Sequence, residues 1–289
     1  MNVGIIGLGL IGGSLGLDLR RLGHRVLGCS RRGPICQAAI ERGVVDEASL
    51  DLMLMAKADV VFVCTPIAAI EPTVARLAPL LSDQTIVTDV GSVKGDLVSA
   101  AARHWPNFVG GHPMAGKAEA GLEAAEAGLF ERCAYVLTPL EATPKTALET
   151  VAEIARSLQA QVYQCSPSAH DRAVAWISHL PVMVSSSLIQ ACLNESDATI
   201  LELAKNLASS GFRDTSRVGG GNPELGMMMA QYNREAVLYA LQKYRRTLDQ
   251  VIYQIEHHDW EQLNQQLQQT QQARPEFMLS PPVPDKAKR

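Results

Sequence analysis

The stretch Val3-Gly4-Ile5-Ile6-Gly7-Leu8-Gly9-Leu10-Ile11-Gly12-Gly13 decides how this chain folds. A short apolar run flows into glycines and then into the helical spacing of Leu15 to Leu22. The spacing Gly-x-Gly-x-x-Gly gives a tight turn, lets the backbone approach a pyrophosphate, and packs helix closely on strand. It also aims the free N–H groups of a helix N-terminus at the anion. Gly7, Gly9 and Gly12, with the backbone of Leu10 and Ile11, are therefore the expected dinucleotide-binding residues. Alone the pattern is weak; the alternation of strands and helices along the next 150 residues gives it force.

Working outward, Arg25 to Ser30, Asp59 to Cys64, Thr85 to Asp89, Asn107 to Gly110, Ala134 to Leu137 and Gln161 to Tyr163 read as strands. Helical stretches over 35–42, 70–81, 95–104 and 145–158 alternate with them. The order predicts a Rossmann-type, doubly wound, mostly parallel sheet. From Ser166-Pro167 onward only helical patterns remain. Pro181 is expected to kink a helix over 168–193 near His179. Asn222-Pro223 reads as a cap opening a long helix with a seam at Val237, Leu241, Tyr244, Leu248, Val251 and Ile255. Asp259 and Gln262 resemble a capping box for a last helix. The expected organisation is a cofactor domain over 1–165, an all-helical substrate and dimerisation domain over 166–275, and a disordered tail over 276–289.

A formal charge of −4 on 289 residues gives no electrostatic case for nucleic acid or an acidic membrane. Six scattered cysteines without a Cys-x-x-Cys pair argue against zinc and disulfides, and no metal site is expected. No targeting segment precedes the first strand and no run of about 18 apolar residues is present, so a cytoplasmic location is expected.

The residues after the second strand select the cofactor. An acid about 20 residues past the glycines would hydrogen-bond the adenosine ribose and repel a 2′-phosphate. Here the sequence is Ser30-Arg31-Arg32, with no acid. One hydroxyl and two guanidiniums suit a phosphate dianion, which points to NADP; the plainer alternative is a basic surface loop.

Ligands bind beyond the carboxyl ends of the strands in such sheets. Those ends deliver Thr65-Pro66, expected at the nicotinamide-side ribose, then Asp89-Val90-Gly91-Ser92-Val93-Lys94 and Gly111-His112-Pro113-Met114-Ala115-Gly116. A neutral imidazole is the natural acceptor for the proton of an alcohol undergoing oxidation, which makes His112 the candidate base.

With these motifs, and with His170-Asp171, Ser178-His179-Leu180-Pro181 and Gly211-Phe212-Arg213-Asp214-Thr215-Ser216-Arg217, the chain resembles the prephenate/arogenate dehydrogenases of tyrosine biosynthesis. The likeness spans about residues 1–275 and is strongest to the NADP-using arogenate dehydrogenases of cyanobacteria. It implies oxidative decarboxylation of a cyclohexadienol: hydride leaves C4 for the cofactor, CO2 departs and the ring aromatises. It further implies that His112 draws off the 4-hydroxyl proton and that Ser92 orients His112 or shares that hydroxyl. Arg217, with Arg213 as a weaker candidate, would bind a substrate carboxylate, and His179 would line the cleft. His179 reads equally as a core histidine, and Arg213 as a structural partner of Asp214.

Arogenate carries an ammonium where prephenate carries a keto group. Asp171, Glu195, Asp197 and Asp214 are the acids available near the cleft, though each also reads as a cap or a solvated charge. L-Arogenate with NADP is the expected pair and prephenate the alternative. A β-hydroxyacid dehydrogenase is a rival disfavoured by the lack of lysine over 168–193. The seam is expected to form a homodimer.

Overall fold

The apolar run at the N-terminus becomes β1 (Asn2–Ile6), inside a sheet that changes direction of growth beside it. The computed structural model describes residues 1–117 and 119–278. The further strands are β2 (Arg25–Cys29), β3 (Glu47–Ser49), β4 (Val60–Val63), β5 (Ile86–Asp89), β6 (Phe108–Pro113), β7 (Ala134–Thr138) and β8 (Gln161–Gln164). Their order is β3-β2-β1-β4-β5-β6-β7-β8. The topological switch lies between β1 and β4, where a crevice opens at the carboxyl ends of the strands. Helices α1 (Leu10–Arg21), α2 (Gly33–Glu41), α3 (Ile67–Leu77), α4 (Gly95–His104) and α5 (Lys145–Ser157) cover the two faces.

Strand alternation divides the core. Ile6, Val61, Val63 and Val87 pack with Ile70, Val74 and Leu77 of α3 and Val98 and Ala101 of α4. Val3, Ile5, Val60 and Phe62 pack with Leu15 and Leu19 of α1 and Leu158 beyond α5. Burial on both faces explains why these strands read as continuous apolar runs.

Three features differ from the sequence expectation. Glu47–Ser49 is a strand, paired in parallel with β2, although its charged and small residues give no strand signal. β6 continues through His112 to Pro113 instead of ending at Gly110. β7 is antiparallel to β6, with His112 opposite Val136. The physical reason is the connection over 114–133, which supplies no crossover helix among the described residues. It is pinned instead to α1, where the Ser14 hydroxyl accepts the Glu126 N–H at 3.1 Å and the Asp18 carboxylate accepts that of Gly128 at 2.9 Å.

The helical part begins with α6 (Pro167–Val174), capped by the Ser166 hydroxyl. A π-helical turn over Ala175–His179 comes next, and then α7 (Leu180–Leu193). The kink expected from Pro181 is thus realised as a widened turn that carries His179, since a π turn relieves the hydrogen bond that proline cannot make. After it stand α8 (Ala198–Leu207), α9 (Ser210–Ser216) and α10 (Pro223–Tyr232), with Asn222 capping α10 as expected. The long seam helix is broken: α10 stops at Asn233, and α11 (Arg234–Glu256) carries the seam. α12 (Trp260–Met278) is capped by Asp259, whose carboxylate accepts the Gln262 N–H at 3.2 Å. It includes the first three residues of the expected disordered tail; 279–289 lie outside the described residues. Cα packing separates a unit over Met1–Val237 from a second unit that begins at Leu238. By length and composition, Pro167–Leu193 is the one helical stretch among the described residues apolar enough to cross a membrane, although His170, Asp171, Arg172 and His179 interrupt it and it holds no unbroken run of about 18 apolar residues.

Candidate active site

The glycine loop is built as a cradle. Gly7 has a φ of +97°, and a Cβ there would lie 2.5 Å from the Cys64 carbonyl oxygen. Gly12 packs on the Gly7 carbonyl, which a Cβ would approach to 2.0 Å, so any larger residue would push α1 off β1. Gly9 faces open space, where a ligand would approach. It is the N-cap of α1 and lends no side-chain cap, so Leu10, Ile11 and Gly12 keep N–H groups for an anion. At the end of β4, the buried Thr65 hydroxyl has no hydrogen-bond partner among the described residues, and exposed Pro66 caps α3. These observations fit a dinucleotide lying across the switch point.

Beyond β2, the Ser30 hydroxyl accepts the Arg32 N–H at 3.3 Å, and Arg32 is the N-cap of α2. Arg31 and Arg32 are exposed and enter no ion pair among the described residues. No carboxylate competes with an anion for them.

The loop after β5 is fixed by one buried carboxylate. Asp89 accepts the N–H groups of Gly91 at 2.8 Å and Gly111 at 3.1 Å, and forms a short ion pair with Lys94. Both members of that pair are fully buried. Burial pulls the Lys94 amine below its ordinary range, with the Asp89 carboxylate acting in the opposite sense. Asp89 therefore ties the Ser92 loop to the strand that carries His112. The Ser92 hydroxyl is buried without a partner among the described residues.

His112 does not lean on Ser92, as one of its two expected roles required. Its Nδ1 lies 2.8 Å from Nε2 of His170, and His170 Nδ1 lies 2.7 Å from Asp171 Oδ1. The Asp171 carboxylate also accepts the N–H groups of Lys94 at 2.8 Å and Gly95 at 2.7 Å, the open N-terminus of α4. Burial, reinforced by repulsion from His170, Lys94 and His179 whenever these carry a positive charge, holds His112 well below the ordinary imidazole range. At neutral pH it is uncharged and basic in kind.

His179 sits at the end of the π-helical turn, fully buried. The Asn233 amide donates to the Asp171 carbonyl at 2.7 Å and to His179 Nδ1 at 3.1 Å. With Nδ1 accepting, the ring proton is on Nε2, which is buried and has no partner among the described residues. Burial lowers the His179 pKa to about 4, so at neutral pH this N–H donates as a neutral group. A buried donor with nothing to donate to is what a polar substrate would complete.

No contact among the described residues joins the two arginines to this cluster. Arg213 pairs with Asp214 at 3.1 Å, both about three-quarters exposed, as its structural reading expected. Arg217 is exposed, with no ion pair among the described residues, on the turn Arg217–Gly220, which packs on α7 through the approach of Gly219 to Ser185. Two of the acids named for a substrate ammonium are caps, Asp171 on α4 and Asp197 on α8.

Asp89, Lys94, His170 and Asn233 had no role assigned from sequence. Their signal lies in the motifs themselves, because a Lys five residues after an Asp closes a loop and His-Asp in the first turn of a helix offers paired polar groups. Which groups they meet is a matter of fold.

Residues 15–164 match the family model described as the nucleotide-binding domain of prephenate dehydrogenase, and 166–269 match that of its dimerization domain. The prephenate dehydrogenase of Bacillus subtilis is 32% identical over 269 residues, covering 90% of this chain and 71% of that protein. The crystal structure of Synechocystis arogenate dehydrogenase superimposes with a TM-score of 0.87 at 53% identity, covering 96% of this chain and all of that one. Prephenate dehydrogenase from Aquifex aeolicus, solved with hydroxyphenyl propionate and NAD+, gives a TM-score of 0.91 at 28% identity over 96% and 98% of the two chains. A glycine cradle suited to a dinucleotide and a buried histidine cluster are thus set in a chain that belongs to the prephenate/arogenate dehydrogenase family of oxidoreductases.

Proposed function

We propose that the protein oxidatively decarboxylates L-arogenate to L-tyrosine with NADP+ as acceptor. The observation that carries the substrate is the 53% identity to Synechocystis arogenate dehydrogenase over nearly the whole chain. The cofactor reading rests on Ser30, Arg31 and Arg32, which offer a hydroxyl and two unpaired guanidiniums where an NAD-selective site would place an acid. Gly7, Gly9, Leu10, Ile11 and Gly12 hold the pyrophosphate, and Thr65 and Pro66 border the ribose beside the nicotinamide.

When bound, the nicotinamide accepts a hydride. His112 hydrogen-bonds the substrate 4-hydroxyl and takes its proton as the C4–H hydride leaves, giving a dienone. The C1–carboxylate bond then breaks, CO2 departs, and its electron pair completes the aromatic ring as a phenolate. His112 returns the proton to that oxygen, so arogenate and NADP+ become tyrosine, CO2 and NADPH with no net proton. Ser92 shares the 4-hydroxyl, His179 donates to the substrate from its free Nε2–H, and Arg217 takes a carboxylate, with Arg213 in support. Loss of CO2 and aromatisation make the step downhill, so orientation and the protonation state of the base are what the protein must supply.

Prephenate is the second reading, favoured by the Bacillus subtilis and Aquifex aeolicus relatives. Parallel assays of NADPH and NADH formation from each substrate test the assignment. The expected result is that arogenate with NADP+ has the highest kcat/KM; strong turnover of prephenate alone would overturn it.

The matches over 15–164 and 166–269 support a cofactor domain over 1–165 and a substrate and dimerisation domain over 166–275. Tyr244, Leu248 and Ile255 of the seam are 40–49% exposed, which supports a homodimer through the helical part. Light scattering at twice the chain mass is the expected result. Six free cysteines support a reducing, cytoplasmic setting.

A further inference from the structure

We propose that His170 is a positioning residue that locks His112 as its Nδ1–H tautomer and so keeps the Nε2 lone pair free for the substrate. This inference rests on the reading of His112 as the base.

The chain of hydrogen bonds is anchored at its far end by Asp171. This residue is on α6, the first helix after the sheet, and its two carboxylate oxygens accept the N–H groups of Lys94 and Gly95 at 2.8 and 2.7 Å. A Cβ on Gly95 would come within 2.8 Å of Asp171 Oδ2, so the close fit needs glycine there. An ionised carboxylate only accepts, so His170 Nδ1, 2.7 Å from Oδ1, must carry a proton. In neutral His170 the other nitrogen, Nε2, is then an acceptor. It lies 2.8 Å from His112 Nδ1, which must therefore donate. The remaining nitrogen of His112, Nε2, is left with its lone pair.

Burial makes the lock selective. His170 is 2% exposed and His112 8% exposed, so water is a poor substitute for the missing partner. The ring centroids are 5.1 Å apart with planes at 70°, an edge-on approach that fixes the His112 ring as well as its proton. Lys94 and His179 are the other titratable groups that act on His112, and both oppose a positive charge there. Ser92, which has no partner, is free to meet the substrate instead of the base.

The test uses the full chain with 15N-labelled histidine, read by long-range 1H–15N correlation without substrate, together with steady-state kinetics. There are seven histidines, and the His112→Asn spectrum assigns His112 by the imidazole it loses. In the unmodified protein the His112 proton is expected on Nδ1. His170→Asn keeps a donor for Asp171 but is too short to reach His112. It is expected to spread the proton over both nitrogens and lower kcat about 10–100-fold, with KM for both substrates within about twofold and an unchanged melting temperature. His170→Gln places an amide oxygen near the old Nε2 position and is expected to recover most of the lost kcat and the Nδ1–H form.

A His112 proton on Nε2 in the unmodified protein would overturn the proposal, as would full kcat in His170→Asn or a folded His170→Gln no better than His170→Asn. If His170→Asn does not fold, the tautomer of the unmodified protein decides alone. Full turnover by His112→Asn would remove His112 as the base without altering the tautomer measurement, so the two readings fail separately.

Discussion

The Asp171 carboxylate accepts the backbone N–H of Lys94 at 2.8 Å, joining the first helix after the sheet to the loop that carries Ser92. One ionised side chain therefore caps α4, orients His170, and seats the helical part of the site on the Rossmann part. The strand holding His112 is tied to the same loop through Asp89. Catalytic geometry and domain seating share these bonds, and variants should separate by which function they touch.

His112→Asn is expected to lower kcat by about 10²–10⁴-fold, the usual worth of a positioned acid–base group, while substrate KM changes little. Steady-state assays with the preferred substrate measure it, and near-normal turnover would exclude His112 from proton transfer.

The pH dependence has a defined sign. A histidine works as a base only when neutral, and the His112 pKa is held well below 6.5, so with His112 as the proposed base kcat/KM should stay level on acidification through pH 6.5 and fall only below it. Stability tracks the same groups. The unfolded chain binds protons on these histidines below about pH 6.5 while the folded one resists them, so stability is lost as pH falls through that value. For His179 the loss levels off near its folded pKa of about 4, after a cost on the order of 3 kcal/mol. Urea midpoints across pH 4–8 report it, and a flat profile would contradict the buried neutral state.

On the proposed NADP reading, Arg31→Ala and Arg32→Ala are expected to raise the KM for NADP+ about tenfold each while leaving NAD+ within about twofold, since only a 2′-phosphate would use the guanidiniums. Ser30→Asp should invert the preference by repelling that phosphate. Equal effects on both cofactors would assign the pair to general surface charge.

Arg217→Ala should raise substrate KM about tenfold or more with a small change in kcat, the signature of lost ground-state binding. Arg213→Ala should change either constant less than about threefold, because its exposed pair with Asp214 is of the weak surface kind.

Lys94→Met leaves Asp89 buried without its cation. The expected loss is about 3–5 kcal/mol of folding stability, read from urea denaturation. A loss under about 1 kcal/mol would mean that the pair is hydrated in solution.

The sequence by itself determined the parallel core of the sheet and the glycine loop beside it. Val3 to Gly13 is legible because a buried strand, a positive-φ glycine and an open helix N-terminus are local demands, met within a few residues. His112 and Ser92 were legible as strand-end residues for the same reason. Tertiary structure alone decided the antiparallel β7, the short β3, and the break at Asn233 that turns one expected helix into two. It also decided the partner of His112. His170 is 58 residues away in sequence, and only the docking of α6 on α4 brings the two rings together. Local spacing encodes which groups a strand end presents; which of them meet depends on packing between distant elements, where burial rewards a completed hydrogen bond and penalises an orphan.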